Sequence, residues 1–254
     1  MKTETRMRKN AQIVGLVVAL LVAVAPQTPA SETLTRAQVV AKLAQARADL
    51  SSAALDGVDL SGLDFRGANL FAATLRKAKL VDSNLSGCNL NLAILRDADL
   101  TGANLSDASL LSAVLAGAKL GGANLQRTKL VANLQRANLE GANLAGAMAG
   151  ADMKNQPMGL VRAHLLKARL AGANMANADF SRADFSFADL SGADLSGTNL
   201  TRADLSGADL SGSRLQGAVL SEAMVEQAVF RSVSGFDSVI GFDTARGKSL
   251  AVFD

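Results

Sequence analysis

The chain has 254 residues, of which 49% are hydrophobic and 4% aromatic, with one Cys, one His and no Trp or Tyr. A single Cys excludes an internal disulfide, and one His with one Cys excludes a metal site built from several such ligands. The lack of Trp and Tyr disfavours a carbohydrate or nucleic-acid site that depends on stacking, and the net charge of +3 is too small to predict a partner by itself.

Residues 1–30 have the pattern of a secretory signal peptide. Four basic residues and one acidic residue precede an uncharged run at 13–25, followed by a short Pro-containing segment that ends at Ala30. We expect cleavage after about Ala30 and export to the periplasm, or to the thylakoid lumen if the source is photosynthetic. The apolar run is shorter than the roughly 20 residues that cross a bilayer comfortably. An uncleaved N-terminal anchor is the alternative.

Removing this segment changes the charge balance. The whole chain has 26 Lys+Arg and 23 Asp+Glu, and the rest of the chain keeps 22 of each. The basic balance therefore belongs to the signal segment and gives no reason to expect nucleic-acid binding. We also expect no membrane association after cleavage.

Residues 31–52 predict a short N-terminal capping helix, from Thr35 to Leu50. Thr35 suits the N-cap position, and Val39, Leu43, Ala46 and Leu50 recur at helical spacing. A helix here would cover the open end of the structure that follows. The alternative is a helix that docks a partner.

From residue 53 to 232 a triplet recurs every five residues: a small residue, then Asp or Asn, then a large apolar residue. A period of five matches neither a helix nor a long strand. It suits a short extended segment followed by a turn, stacked on its neighbours as in a solenoid. The large positions between Ala173 and Gly212 are Met175, Phe180, Phe185, Leu190, Leu195, Leu200, Leu205 and Leu210.

This A-(D/N)-L-x-x pattern resembles the pentapeptide-repeat family over about Ala53 to Phe230. The resemblance implies an all-β solenoid, a right-handed quadrilateral β-helix in which four repeats make one coil. Residues i and i+20 then lie one above the other. With a rise of about 4.8 Å for each coil, roughly nine coils give a rod on the order of 45 Å long.

The repeat frame breaks near residues 131–159. Leu134, Leu139 and Leu144 lie one residue early, and Met148 and Met153 suggest the loss of a second residue. Leu160 returns to the original frame, which predicts a distorted coil with a small protruding loop. The loop is either a structural bulge or a partner contact. The candidate contact residues in it are Lys154, Asn155, Gln156 and Pro157.

Residues 233–254 leave the five-residue period and are predicted to cap the last coil. They are too apolar for a solvated tail, with Phe236, Val239, Ile240, Phe242, Leu250 and Phe253. Because some members of the resembling family dimerise through this end, a homodimer through the C-terminal cap is the alternative to a monomer.

The stacking of coils sorts the outward side chains into columns, in which opposite charges mostly alternate. Asp107 lies under Arg127, and Asp194 lies under Arg214. The exceptions are a column of Arg162, Arg182 and Arg202 and a neighbouring column of His164, Asp184 and Asp204. Cross-pairing between these two columns predicts a solvated ion-pair face. The alternative is a site for an anion, a cation or a charged partner.

The sequence predicts no catalytic, cofactor-binding or metal-binding residues. Cys88 occupies a small inward position and is expected to be buried and inert. We therefore favour an exported, non-enzymatic structural or protein-interaction scaffold whose partner protein is unknown. One alternative is a DNA mimic that protects a topoisomerase such as gyrase, although the export signal and the interleaved Lys and Arg depart from that pattern. The other is an enzyme with a pocket around His164, Asp184 and Arg182.

Overall fold

The structure is a computed structural model that describes residues 32–45, 48–150 and 162–254. Residues Thr33–Asp254 form one compact unit. The predicted signal peptide lies outside the described residues, and so do Lys154, Asn155, Gln156 and Pro157. Within the described ranges, no helix has both the length and the apolar character needed to cross a membrane.

The first element is helix α1, Arg36–Leu43. Thr35 forms a capping box: its side chain accepts from the backbone N–H of Gln38, and its own N–H donates to Gln38 Oε1 at 2.7 Å. Val39 is fully buried. The Arg36 guanidinium donates to the carbonyls of Asp59 and Ser61 at 2.9 and 3.0 Å, which ties α1 to the first coil.

Helix α1 is shorter than the predicted Thr35–Leu50 helix. Leu50 and Ala48 are buried in the core, and Asp49 already pairs with Asn69 in the next coil. Leu50 fitted the helical spacing, but Ala48-Asp49-Leu50 is itself a repeat triplet. Asp49 Oδ1 accepts from Ser51 N and from Asn69 Nδ2, both at 3.0 Å, and these bonds need the coil conformation. The repeats therefore begin at residue 48 rather than 53.

Each five-residue unit makes one side and one corner of a four-sided coil. The outward residue pairs with the coil below: Asn69 N donates to Ala48 O at 3.0 Å, and Asn69 O accepts from Leu50 N at 2.8 Å. A turn closed by Ala53 N donating to Leu50 O at 3.1 Å forms the corner. The parallel pairing of residue i with residue i+20 confirms the predicted stacking.

The sides are held by single bridging residues, and no longer strand occurs among the described residues. Two of the five residues in a unit form the corner, so each side has room for only one paired outward residue. The all-β solenoid prediction is corrected in this respect: the ladder consists of isolated parallel bridges. Hydrogen bonds between coils continue through the corners, where Ser52 N donates to Phe71 O at 2.8 Å.

We call one face of the coil face 1 and letter the four corners A to D in the order in which the chain passes them, beginning at the corner before face 1. Face 1 carries the outward residues Ala54, Thr74, Ile94, Val114, Asn133, His164, Asp184, Asp204, Met224 and Arg246. Corner A precedes face 1 (71–72, 91–92, 111–112, 181–182, 201–202) and corner B follows it (76–77, 96–97, 135–136, 166–167, 186–187). Corner C (61–62, 231–232) and corner D (66–67, 176–177) border the opposite face.

The interior of the described coils is filled by side chains. The central residues are mainly Leu, with Phe65, Phe180 and Phe185 fully enclosed, and small residues, mostly Ala, fill the remaining inward positions. Phe180 and Phe185 meet edge to face with ring centroids 5.2 Å apart. Cys88 is 1% exposed and its thiol donates to Phe65 O at 2.9 Å, as expected for an inward position.

The frame break has a different form from the predicted one. Val114 pairs with Asn133, one position short of the usual i+20 partner, which confirms the first lost residue. The second loss, proposed from Met148, is wrong: Met148 points outward and is 48% exposed, while Ala149 occupies the buried central position. Met148 and Met153 are five residues apart, which is the spacing of the large inward residues, and this coincidence led to the wrong prediction. Asn133 then pairs with His164, and the additional residues of this coil fall at 151–161, outside the described residues.

The last coil widens from sides of five residues to sides of six. Along its four outward residues the pairing offset grows from i+20 to i+23, ending with Val229 and Val252. Each longer corner holds one turn of 3₁₀ helix, at Phe236–Ser238, Phe242–Thr244 and Lys248–Leu250, and each follows a glycine with φ of 72–74°. Phe236, Phe242 and Phe253 pack on Phe230 with centroids 5.4–5.9 Å away.

Candidate functional site

The predicted charged columns lie on face 1 and corner A. Arg182 and Arg202 are corner A residues, and Arg162 is the equivalent residue of its coil, two positions before His164. Asp184 and Asp204 follow His164 along face 1. The structure thus brings all five described candidate residues onto one edge of the molecule.

Asp184 is the centre of this group. Its Oδ1 accepts from Ser186 N and Ser186 Oγ at 3.0 and 2.5 Å. Its Oδ2 lies 3.7 Å from Arg162 Nη2 and 3.7 Å from His164 Nδ1, and the Asp184 side chain is only 14% exposed. The predicted cross-pairing between the two columns is therefore present at Arg162 and Asp184.

Arg202 is neutralised by Glu222, a residue that was not predicted to belong to this group. Its guanidinium forms a two-pronged hydrogen bond with Glu222, at 2.9 and 2.8 Å. These bonds hold the pKa of Glu222 below its ordinary value and raise the pKa of Arg202. Arg246 also lies 3.9 Å from Glu222. The signal was available, because Glu222 is the i+20 partner of Arg202 in the next coil.

The chemistry of this charged edge is that of ion pairing. Among the described residues, no group of three or more His, Cys, Asp or Glu side chains is placed to hold a metal. A recess of about 300 Å³ lies at the coil with the missing residue, lined by Val114, Val131, Asn133, Arg162 and His164 among others. His164 and Asp184 are close together, but Arg182 and Asp184 are not part of that lining.

On other faces, outward columns pair as the stacking predicts. Asn104 Nδ2 donates to Asn84 Oδ1 at 3.4 Å, and Asn124 continues this ladder at 3.2 Å. Arg127 binds Asp107 through two hydrogen bonds of 2.8 and 2.7 Å. Lys119 Nζ lies 3.3 Å from Asp99 Oδ2, so these columns satisfy much of their own polarity.

The N-terminal half of face 1 departs from this pattern, which was not predicted from the sequence. Its outward residues are Ala54, Thr74, Ile94 and Val114 instead of Asp, Asn or Lys. At corner A beside them, Phe71, Leu92 and Leu111 are 40%, 49% and 39% exposed. The available signal was the lack of Asp or Asn at four successive outward positions of one face.

The same residues give up a stabilising contact. Elsewhere the outward Asp or Asn accepts a hydrogen bond from the backbone N–H two residues later, as Asp99 does from Thr101 at 3.2 Å. Ile94 and Val114 have no side-chain acceptor for such a bond. Arg76 N, which follows Thr74, donates instead to Asp56 in the coil below, at 2.8 Å. Outward positions on other faces, such as Lys79 and Lys119, also lack this acceptor, so the N-terminal half of face 1 is distinguished by its apolar side chains.

The fold defines the class of the protein: a four-sided solenoid built from five-residue repeats. The pentapeptide repeats family model matches in eight copies within residues 48–130, 132–155 and 160–234. The chain belongs to the pentapeptide repeat family. Its membership implies a right-handed quadrilateral β-helix, as first expected from the resemblance.

The chain is also similar to solved structures. HetL, a pentapeptide repeat protein involved in heterocyst differentiation regulation in the cyanobacterium Nostoc sp. strain PCC 7120, is 32% identical over 84% of this chain and 94% of its own, with a TM-score of 0.45. QnrB1, a plasmid-mediated fluoroquinolone resistance protein, is 17% identical over 77% and 93%, with a TM-score of 0.38.

A pentapeptide repeat protein from the Arabidopsis thaliana thylakoid lumen is 29% identical over 48% of this chain and 68% of its own, with a TM-score of 0.20. Because these TM-scores are below 0.5, the family assignment rests on the repeat match and on the identity with HetL. No curated protein sequence matches the chain.

Proposed function

We propose that this protein is a non-enzymatic scaffold that binds another protein through its outer faces. The supporting observation is the construction of the coil: the interior is filled by buried side chains, and each described outward residue from Asn69 onward donates a backbone hydrogen bond to the coil below. Such a body holds surface side chains at constant spacing, which suits recognition.

We propose further that α1 and the widened last coil cap the two ends. Helix α1 buries Val39 in the core, and the last coil buries Phe230 under three other phenylalanines. Terminal repeats need such covers because an open coil would expose both its core and its unpaired backbone groups. The monomer, or a homodimer through the last coil, stays the expected state.

Export belongs to this proposal and rests on the N-terminal sequence pattern. The protein carrying a C-terminal tag is expressed in its source cells, the compartments are separated, and the mass of the purified protein is measured. We expect an exported protein that begins at about Ser31. A cytoplasmic protein of full length would refute export and leave the scaffold function to be tested separately.

The alternating charges of the outward columns do not favour the gyrase-protecting DNA mimic. Asp107 with Arg127, and Asp194 with Arg214, place a basic residue directly against an acidic one, at 2.7 and 2.8 Å. A uniformly acidic surface is what a mimic of the DNA backbone requires. Affinity capture from the protein's own compartment tests the two functions, because the scaffold proposal expects one reproducible partner other than gyrase.

A further inference from the structure

Exposed large apolar side chains are concentrated at face 1. In the five-residue coils, among residues 48–150 and 162–230, six such side chains are at least 39% exposed: Phe71, Leu92, Leu111, Met148, Phe187 and Met224. All except Met148 lie on face 1 or on one of the two corners that border it. Scattered apolar residues need no explanation, but a cluster on one face of a solenoid marks an interaction surface.

Two of these side chains occupy a conformation that disfavours them. Leu92 has φ 61° and Phe187 has φ 57°, at the second corner position where most other coils place glycine or a small or polar residue. A bulky residue in the left-handed region costs about 1 kcal/mol relative to its ordinary conformation. The chain therefore keeps an exposed apolar side chain at a corner where glycine would be less strained.

The two corners that border face 1 differ in charge. From Phe71 to Ala132, corner A carries no charged residue. From Arg76 to Lys167, corner B carries five basic residues and one acidic residue, Asp97. Arg96 and Arg136 line a recess of about 310 Å³ at this edge, and within the described part of the chain neither has an ion-pair partner.

The missing residue in the coil at 128–146 shapes the centre of the surface. Leu130 and Leu134 are separated by three residues instead of four, and Val131 and Ala132 are drawn into the body. This leaves the recess of about 300 Å³ beside Val114. The apolar strip thus has a depression that accepts a side chain, as the anchor positions of protein interfaces do.

We propose that face 1, between Phe71 and Arg136, is the docking surface of the scaffold, and that its partner is a protein helix with one apolar stripe and one acidic edge. This inference rests on the proposed scaffold function. The apolar strip contacts the stripe of the helix, and the basic edge at corner B pairs with its carboxylates.

The spacing of the coils suits a helix lying along the solenoid axis. Successive outward residues rise by about 4.8 Å for each coil. A helix rises about 1.5 Å per residue, so its residues at i, i+3 and i+7 are displaced by about 4.5 and 10.5 Å. These displacements match one and two coil steps. A helix-in-groove contact of this kind reads such anchors.

The test uses a displayed library of random 16-residue peptides selected on the purified full-length protein. Enriched peptides are synthesised with a fluorescent label, and their affinities are measured by anisotropy. We expect an enriched pattern of large apolar residues at helical spacing with Asp or Glu on one side. No enrichment, or enrichment of basic or unpatterned peptides, would overturn the proposal.

Matched variants locate the contact. Leu92→Gly removes the exposed side chain, so binding should weaken at least tenfold. Because glycine adopts the left-handed conformation of residue 92 without strain, thermal stability should be kept. Asn177→Gly makes the same backbone change at corner D, where φ is 56°, and should leave the affinity unchanged. Equal effects of the two substitutions, or none from Leu92→Gly, would place the binding elsewhere.

Charge reversal tests the chemistry of the partner. The double variant Arg96→Glu with Arg136→Glu should bind the acidic peptides with at least tenfold lower affinity. It should bind peptides that carry Lys in place of Glu more tightly than the unmodified protein does. Arg231→Glu at corner C is the control and should change neither affinity. Acidic peptides that bind the double variant equally well would overturn the assignment of an acidic edge.

Other occupants give distinct results. If sedimentation shows a dimer that Leu92→Gly dissociates, a second copy covers this face. If shortening residues 151–161 is required before any peptide binds, the chain covers the face itself. Either result overturns the proposal. Peptides that bind strongly but map to another face would refute this surface and leave the scaffold function standing.

Discussion

At the scale of single residues, the coil decides what a side chain can do by whether it points inward or outward. Cys88 shows the inward case. Burial raises the pKa of its thiol to about 12, so the thiolate is scarce at physiological pH. The residue that looks most reactive in the sequence is therefore held as a small core side chain.

We expect Cys88 to resist alkylation in the folded protein. At pH 8 the native protein should react with iodoacetamide at least a hundredfold more slowly than the urea-unfolded protein, as followed by mass spectrometry. Rapid labelling of the native form would show that the first coils open readily. It would contradict the tight enclosure of Cys88.

Outward carboxylates give stability that depends on pH. Partial burial of Asp194 acts to raise its pKa, but hydrogen bonds from Ser196 and the charge of Arg214 outweigh burial and lower the pKa. A lowered pKa in the folded state means that stability is fully present above the unfolded pKa near 4 and is lost as the pH falls below it.

Urea unfolding at pH 7, 5 and 3 tests this sign. The free energy of unfolding should be nearly constant from pH 7 to 5 and should fall by pH 3. In the Asp194→Asn variant the free energy of unfolding should decrease less between pH 5 and pH 3 than in the unmodified protein. Asp237→Asn removes the same charge from an exposed side chain and serves as the control. Stability that rises on acidification would contradict the direction of the shift.

At the scale of elements, columns of side chains matter more than individual coils. The pair of Asp99 and Lys119 sits in a column with Lys79, and Asp99 also accepts from Thr101 N and Thr101 Oγ1 at 3.2 and 2.7 Å. Charge and turn formation therefore depend on one carboxylate.

Asp99→Lys should destabilise the protein by about 1–2 kcal/mol, because it removes the turn hydrogen bonds and places three like charges in a column. Asp99→Asn keeps the turn contact and should cost less than about 1 kcal/mol. Denaturation in low salt and in 1 M NaCl separates the two terms, since only the charge term is screened. Identical results for both variants in both conditions would refute the column argument.

The sequence predicted the repeating element well because each unit obeys a local rule. The prediction from sequence was wrong where a short segment is compatible with two different conformations or registers. Leu50 fits a helix and a coil, and only the hydrogen bonds of Asp49 decide between them. Met148 fits the large inward position by type, yet it faces outward because Ala149 keeps the frame. The apolar patch escaped detection because no single coil displays it.

At the scale of the whole molecule, stability is distributed along a stack, and the ends are its weak points. The last coil covers Phe230, which is 1% exposed beneath Phe236, Phe242 and Phe253. The sequence indicated a cap from its apolar content. The six-residue spacing of Gly235, Gly241 and Gly247 was a signal for the longer sides, but it was missed because the small-Asp-Leu triplet is absent there.

Removing residues 233–254 should expose Phe230 and the unpaired backbone of the coil beneath it. We expect a melting temperature lowered by several degrees and concentration-dependent aggregation, measured by calorimetry and light scattering. Ile240→Ser, at a residue that is 56% exposed, is the control and should change neither property. A truncated protein that stays monodisperse with an unchanged melting temperature would show that the last coil does not protect the end.

The change of side length in the last coil also sets a limit on growth. A stack of coils could extend without end if the final coil of one molecule matched the first coil of the next. Here the final sides have six residues and the first have five, so a second molecule placed head to tail would fall out of register after one side. Fibre formation by that route is thereby discouraged, whereas two identical final coils still match each other. The extra residue on each side of the last coil therefore prevents a further five-residue coil from stacking on it in register.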